Sequence, residues 1–263
     1  MIDAALALHD NRLNVAEPLL RAQLRDDPFD VAAIRMMAEL AGRIGRYKDA
    51  ENLLRRALEL SPAFTAARAN LAIVLYRLGK PVEAIDQLDQ LMAADPDNIC
   101  HANLKAAALG RIGGFDDAIA LYETVLAQVP QQPRVWMSYG HMLKTVGRQT
   151  DGVAAYRRAL SFAPHLGEVW WSLANLKTVR FDDDDIAAMQ AGLAQHDLSD
   201  EDRFHLDFAL GKAFEDRQQA GQAMDHYRAG NARRHTMVVH DADETDRFVD
   251  DSIALFTPRA IAQ

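Results

Sequence analysis

Little in this sequence points toward a disulfide scaffold, a membrane span or a nucleic-acid surface. Its 263 residues contain one cysteine, Cys100, which excludes an internal disulfide and suits a reducing compartment. Apolar runs are short and broken by charges, so no transmembrane helix and no membrane partner are expected. The first residues lack a basic start followed by an apolar core, so no secretory signal is expected and the predicted location is cytoplasmic. Basic residues are not in excess. Residues 1–181 carry 21 Lys and Arg against 20 Asp and Glu, whereas residues 182–263 carry 8 against 18. That acidic last third argues against nucleic acid, whose phosphates need the opposite sign. None of the nine histidines falls in an HExxH pattern. The run Asp182–Asp185 lacks the glycine and closing glutamate of a calcium loop and is expected to cap a following helix over 186–196.

What the chain has instead is a period. Pro28, Pro62, Pro96, Pro130 and Pro164 are each 34 residues apart. Twelve residues before them stand Ala16, Ala50, Ala84, Ala118 and Gly152, and eight before stand Leu20, Leu54, Leu88, Tyr122 and Tyr156. Gly45, Gly79, Gly113 and Gly147 keep the same step. Between these marks the apolar residues recur at helical spacing, as in Leu71, Leu75 and Leu78, then Ala84, Ile85, Leu88, Leu91 and Met92. Each unit therefore reads as two antiparallel helices joined at the glycine, with the proline closing the second. A fixed period of this size means a stack of like units.

The unit resembles the tetratricopeptide repeat, a 34-residue helix–turn–helix with these small, aromatic and proline positions. Unit 133–166 carries the resemblance best, in Trp136, Tyr139, Gly140, Leu143, Gly147, Gly152, Tyr156, Ala159 and Pro164. The expected fold is all-α: a right-handed superhelical solenoid of helix-turn-helix units with a C-terminal capping helix. Regular repeats are expected over 1–181, in units near 2–30, 31–64, 65–98, 99–132 and 133–166 with the start of the next. Irregular repeats follow over 182–240, then a capping helix and linker over 241–263, with the last helix ending at Thr257-Pro258.

A longer series is more specific. It comprises 135–145, 168–178, Leu198-Ser-Asp-Glu-Asp-Arg203, His205-Leu-Asp-Phe-Ala-Leu-Gly-Lys212, His226-Tyr-Arg-Ala-Gly-Asn231 and Ser252-Ile-Ala-Leu-Phe-Thr-Pro258. Together these segments resemble the N-terminal region of bacterial tetratricopeptide-repeat sulfotransferases. The resemblance implies a C-terminal sulfotransferase domain in cis, beyond Gln263, using 3′-phosphoadenosine 5′-phosphosulfate. The 263 residues themselves show no strand running into a glycine-rich phosphate loop, so no catalytic, cofactor or metal residue is assigned within them. The expected function is a protein-interaction module that recruits substrate to such an enzyme. A stand-alone scaffold assembling other proteins is the alternative.

In such a stack the first helix of each pair lines a concave groove that holds a protein or peptide. Helical spacing places Arg35, Asn70, Tyr76, Asn103, His141, Lys144, Trp171 and Asn175 on or near it. Trp171 stands out because Trp170 already takes the packing position. The asparagines could bond an extended peptide or tie neighbouring helices together. Arg43, Arg77 and Arg111 form a row 34 residues apart. Such a row attracts an acidic peptide, or reflects only the preference for cations near helix C-termini.

Overall fold

The computed structural model describes residues 1–238 and 241–256. Among them the protein is all-α, with fifteen helices and no strand. No helix of the described residues is long and apolar enough to cross a membrane. The chain divides into two compact units, Met1–Phe162 and Ala163–Gln263.

The first unit is five helix pairs: α1 (Ile2–His9) with α2 (Leu13–Asp26), α3 (Val31–Arg43) with α4 (Tyr47–Leu60), α5 (Thr65–Arg77) with α6 (Pro81–Ala94), α7 (Ile99–Arg111) with α8 (Phe115–Gln128), and α9 (Pro133–Thr145) with α10 (Gln149–Phe162). The turn inside each pair needs one left-handed residue. Gly45, Gly79, Gly113 and Gly147 supply it at φ of 73° to 85°, and Asn11 takes that place in the first pair at φ 56°. The next N–H then closes onto the first helix, as when Lys80 donates to the Leu75 carbonyl at 2.9 Å. Each periodic proline lies two residues past the end of a second helix, where its missing N–H costs no helical bond.

The proline carbonyls have their own partners. Trp136 Nε1 donates to Pro130 and Trp170 Nε1 to Pro164, both at 2.8 Å, while Arg68 Nη2 does the same for Pro62. The arginine that departs from the aromatic position therefore keeps its hydrogen bond. The small residues Ala16, Ala50, Ala84 and Ala118 are fully buried, which lets paired helices approach closely.

One buried charge joins neighbouring pairs. Glu51 of α4 accepts from Lys80 Nζ at 2.8 and 2.9 Å and from Arg55 at 2.8 Å, and Arg55 reaches Glu83 of α6 at 2.5 Å. Burial by itself pushes the Glu51 carboxyl up, but the hydrogen bonds from Lys80 and Arg55 outweigh it and hold the group below its ordinary value of 4.5. A carboxyl depressed by folding stabilises above its unfolded value and loses that contribution as pH falls through the folded value. Glu51→Gln is accordingly expected to cost about 1 kcal/mol at pH 7, since both cations are partly exposed. In urea titrations the gap between wild type and Glu51→Gln should close as pH drops below 4.5; a gap that stays constant to pH 3 would refute the assignment.

The second unit departs from the period. Helix α11 (Gly167–Asn175) stops early, with Lys177 at φ 60°, and α12 (Asp183–Leu193), α13 (Asp200–Asp216) and α14 (Ala220–Met237) follow. Trp170 is buried and meets Phe181 edge-on at 5.8 Å. The aspartate run has structural work. Asp182 caps α12 by accepting from the Asp185 N–H at 2.8 Å, and Asp183 pairs with Arg217 at 2.5 Å. Among the described residues no group of three His, Cys, Asp or Glu side chains is placed to hold a metal. Ser199 caps α13 by accepting from the Asp202 N–H.

Helix α15 (Ala242–Leu255) lies where the capping helix is expected. It forms, with Asp241 as its N-cap, but it buries no residue. Thr257 and Pro258, expected to end the last helix, lie outside the described residues.

Candidate binding site

The arginine row resolves rung by rung. Arg43 Nη1 donates to the Leu8 carbonyl at 2.6 Å, and Arg111 Nη1 donates to the Tyr76 carbonyl at 2.8 Å. Both acceptors lie 35 residues earlier, in the last turn of the preceding first helix, where carbonyls lack intrahelical donors. Two rungs are thus C-terminal caps reaching across from the next pair. Arg77, whose equivalent acceptor would be Gly42, makes no hydrogen bond or ion pair among the described residues and is exposed.

At this open rung a pocket of about 360 Å³ lies between α3 and α5, above α4. Ala38, Gly42, Tyr47, Leu54, Ile73 and Val74 supply its apolar lining. Asn70, Ile73 and Arg77 come from successive turns of α5, so they share one face. Ile73 is 48% exposed, an apolar side chain left in solvent beside a pocket. The opposite wall carries Glu39 and Arg43, and Glu39 is already shared between Arg43 at 2.6 Å and Arg35 at 3.2 Å. Two arginines, Arg43 and Arg77, against one glutamate leave the rim cationic, with Arg77 as the guanidinium open to a ligand. The Asn70 amide makes no side-chain hydrogen bond among the described residues, so donor and acceptor are both available.

The residues chosen from helical spacing scatter around this site. Only Asn70 lines the pocket, and Arg35 stands behind it, paired with Glu39. The Tyr76 ring is covered by the Arg111 guanidinium at 3.8 Å from its centroid. Asn103 on α7 is half-buried, and Lys144 on α9 is exposed. His141 Nδ1 lies 2.7 Å from the buried Tyr156 hydroxyl. Trp171 and Asn175 belong to the second unit, where Trp171 is half-buried with its ring tilted on Phe208 at 5.5 Å. Ile73 escaped the spacing argument, and Arg77 entered it only as one rung of the arginine row. An isoleucine three residues from Asn70 and four from Arg77, on a side that packing does not use, was the available signal.

Two family models described as tetratricopeptide repeat match residues 43–108 and 103–166. Together the two matches cover residues 43–166. The pocket lies between α3, which ends where the matched stretch begins, and α5 within that stretch. Several solved structures share the fold. MamA from Desulfovibrio magneticus RS-1, residue 41 to the end, superposes with a TM-score of 0.57 at 16% identity, over 60% of this chain and 90% of that one. Another MamA structure gives 0.54 at 19% identity, over 69% and 96%. YrrB, described as a tetratricopeptide-repeat protein with an unusual peptide-binding site, gives 0.54 at 19% identity, over 61% and 83%. No curated protein matches the sequence.

Proposed function

We propose that this chain is a protein-interaction module that holds an extended peptide on its first helices. One apolar peptide side chain enters the pocket between α3 and α5, a neighbouring carboxylate meets Arg77, and the Asn70 amide bonds the peptide backbone. The observation that carries this reading is the open rung: an exposed arginine without a protein partner, beside an exposed isoleucine and an apolar pocket. Asn103 and Lys144, on α7 and α9, would extend the contact along the same series of helices.

The test is peptide selection on the immobilised chain, followed by titration calorimetry of the best acidic binder. Arg77→Ala is expected to weaken binding about tenfold, the size of one charge-assisted hydrogen bond. The melting temperature should not move, because Arg77 has no partner among the described residues. Unchanged affinity would remove Arg77 from the site.

A finer reading makes this module the N-terminal, substrate-recruiting part of a sulfotransferase that uses 3′-phosphoadenosine 5′-phosphosulfate. The ordered series of segments from 135 to Pro258 supports it. Sequencing the gene past Gln263 checks this directly. A strand leading into a phosphate-binding loop is expected there, and a stop codon in its place would leave the stand-alone scaffold as the function.

A further inference from the structure

Helix α15 is amphipathic and has an apolar face that none of the described residues covers. At about 3.6 residues per turn, Phe248, Val249, Ile253, Leu255 and Phe256 fall on one side, flanking Thr245 and Ser252. Phe248, Ile253, Leu255 and Phe256 are each 68% to 72% exposed. The other side is acidic: between Asp241 and Phe256 there are six Asp and Glu and one Arg. That charge excludes a lipid surface as the natural seat, since interfacial helices carry basic polar faces. It also disfavours α15 against α15 of another copy, which would bring acid to acid.

The first unit holds a groove of complementary chemistry. Between α2, α3 and α4 lies a cavity of about 680 Å³, walled by Leu24, Met37, Leu40, Ile44 and Leu53. Its rim carries Arg21, Arg25 and Arg46. Arg21 and Arg46 pair with exposed acids of the same groove, Glu17 and Asp49, while Arg25 has no partner among the described residues. Ile44 is 51% exposed within it.

We infer that α15 of one copy docks its apolar face in the α2–α4 groove of a second copy, with its acidic flanks against Arg21, Arg25 and Arg46. An apolar stripe laid in an apolar groove is a recurring mode of helix recognition, and the rim charges set orientation and partner choice. Helix and groove are different surfaces, so the contact is heterologous and can propagate from copy to copy.

Sedimentation velocity of the full chain over a range of concentrations tests this. Reversible self-association is expected, weaker at high salt because the rim contacts are exposed. Phe248→Asp removes the helix face, and Ile44→Glu with Arg25→Glu removes the groove. Each is expected to weaken association about tenfold or more, with the far-UV circular dichroism melt unchanged because all three residues are exposed. Mixing the helix variant with the groove variant should restore a one-to-one complex, since each supplies the surface the other lacks. A wild type that stays monomeric throughout overturns the inference, as does a groove variant that associates like wild type, the signature of α15 pairing with itself. A mixture that stays monomeric overturns it too.

Discussion

Tyr156→Ala is expected to lower the unfolding free energy by about 4 kcal/mol, within the range for deleting a buried aromatic ring. Tyr156 is fully buried in α10, and its hydroxyl lies 2.7 Å from His141 Nδ1. The ring fits because residue 140 is glycine: a Cβ there would stand 2.6 Å from the ring. Truncation removes the ring contacts and the hydroxyl bond and leaves a cavity between α9 and α10. Gly140→Ala alone should also destabilise, by about 1–3 kcal/mol, because a packed ring cannot give way. In the Tyr156→Ala background that added methyl enters vacated space, so the two costs should fall well short of additive. Urea denaturation of the four proteins measures the cycle. Additivity within about 0.5 kcal/mol would show that the two positions do not share the contact.

Gly167→Ala is expected to cost about 3 kcal/mol, at the upper end of ordinary overpacking. Gly167 opens α11 where it meets α13, and its N–H donates to Asp202 Oδ1 at 2.9 Å. A Cβ at 167 would lie 2.8 Å from the Asp202 Cα. The obstacle is backbone, so no rotamer change relieves it; the two helices must separate and the hydrogen bond lengthens. Gly221→Ala is the control. Nothing lies within 4 Å of its would-be Cβ, and in the first turn of α14 alanine is favoured over glycine by some fraction of the ~1 kcal/mol of a helix interior. Thermal melts should therefore move in opposite directions, and hydrogen exchange should place the Gly167→Ala loss in the second unit. A Gly167→Ala protein as stable as its parent would mean that α11 and α13 can part without penalty.

Much of the first unit was legible because its signals are local. A turn glycine, a proline two residues past a helix and a buried alanine each act through neighbours a few residues away, and the 34-residue step repeats them. The binding face was less legible because it depends on partners far along the chain. Nothing in the row Arg43, Arg77 and Arg111 distinguishes its members; only the carbonyls of Leu8 and Tyr76 separate the two caps from the open rung. Tyr76 reads as an available aromatic until the Arg111 guanidinium is seen over its ring. Trp171 reads as spare beside Trp170, yet Phe208, 37 positions on, comes to lie against it. A last helix was expected over 241–263 and α15 forms there, but its apolar residues stay exposed.

The missing cap at Arg77 also bears on how the array comes apart. Repeat arrays unfold as a chain of nearest-neighbour couplings. On the first-helix side, a capping arginine joins pair one to pair two and pair three to pair four, while pair two and pair three lack that link. Their remaining charged link, through Glu51, Lys80 and Arg55, lies among α4, the α5–α6 turn and α6. The seam between α3 and α5 then rests on apolar packing, Ile34, Ala38 and Ala41 sharing one core with Leu71, Val74 and Leu75. Amide exchange near Gly42 is expected to outpace that near Tyr76, which has the capping arginine as well. A peptide carboxylate held by Arg77 and a side chain seated against both helices would bridge that seam. Ligand occupancy would then make the first three pairs melt as one cooperative block.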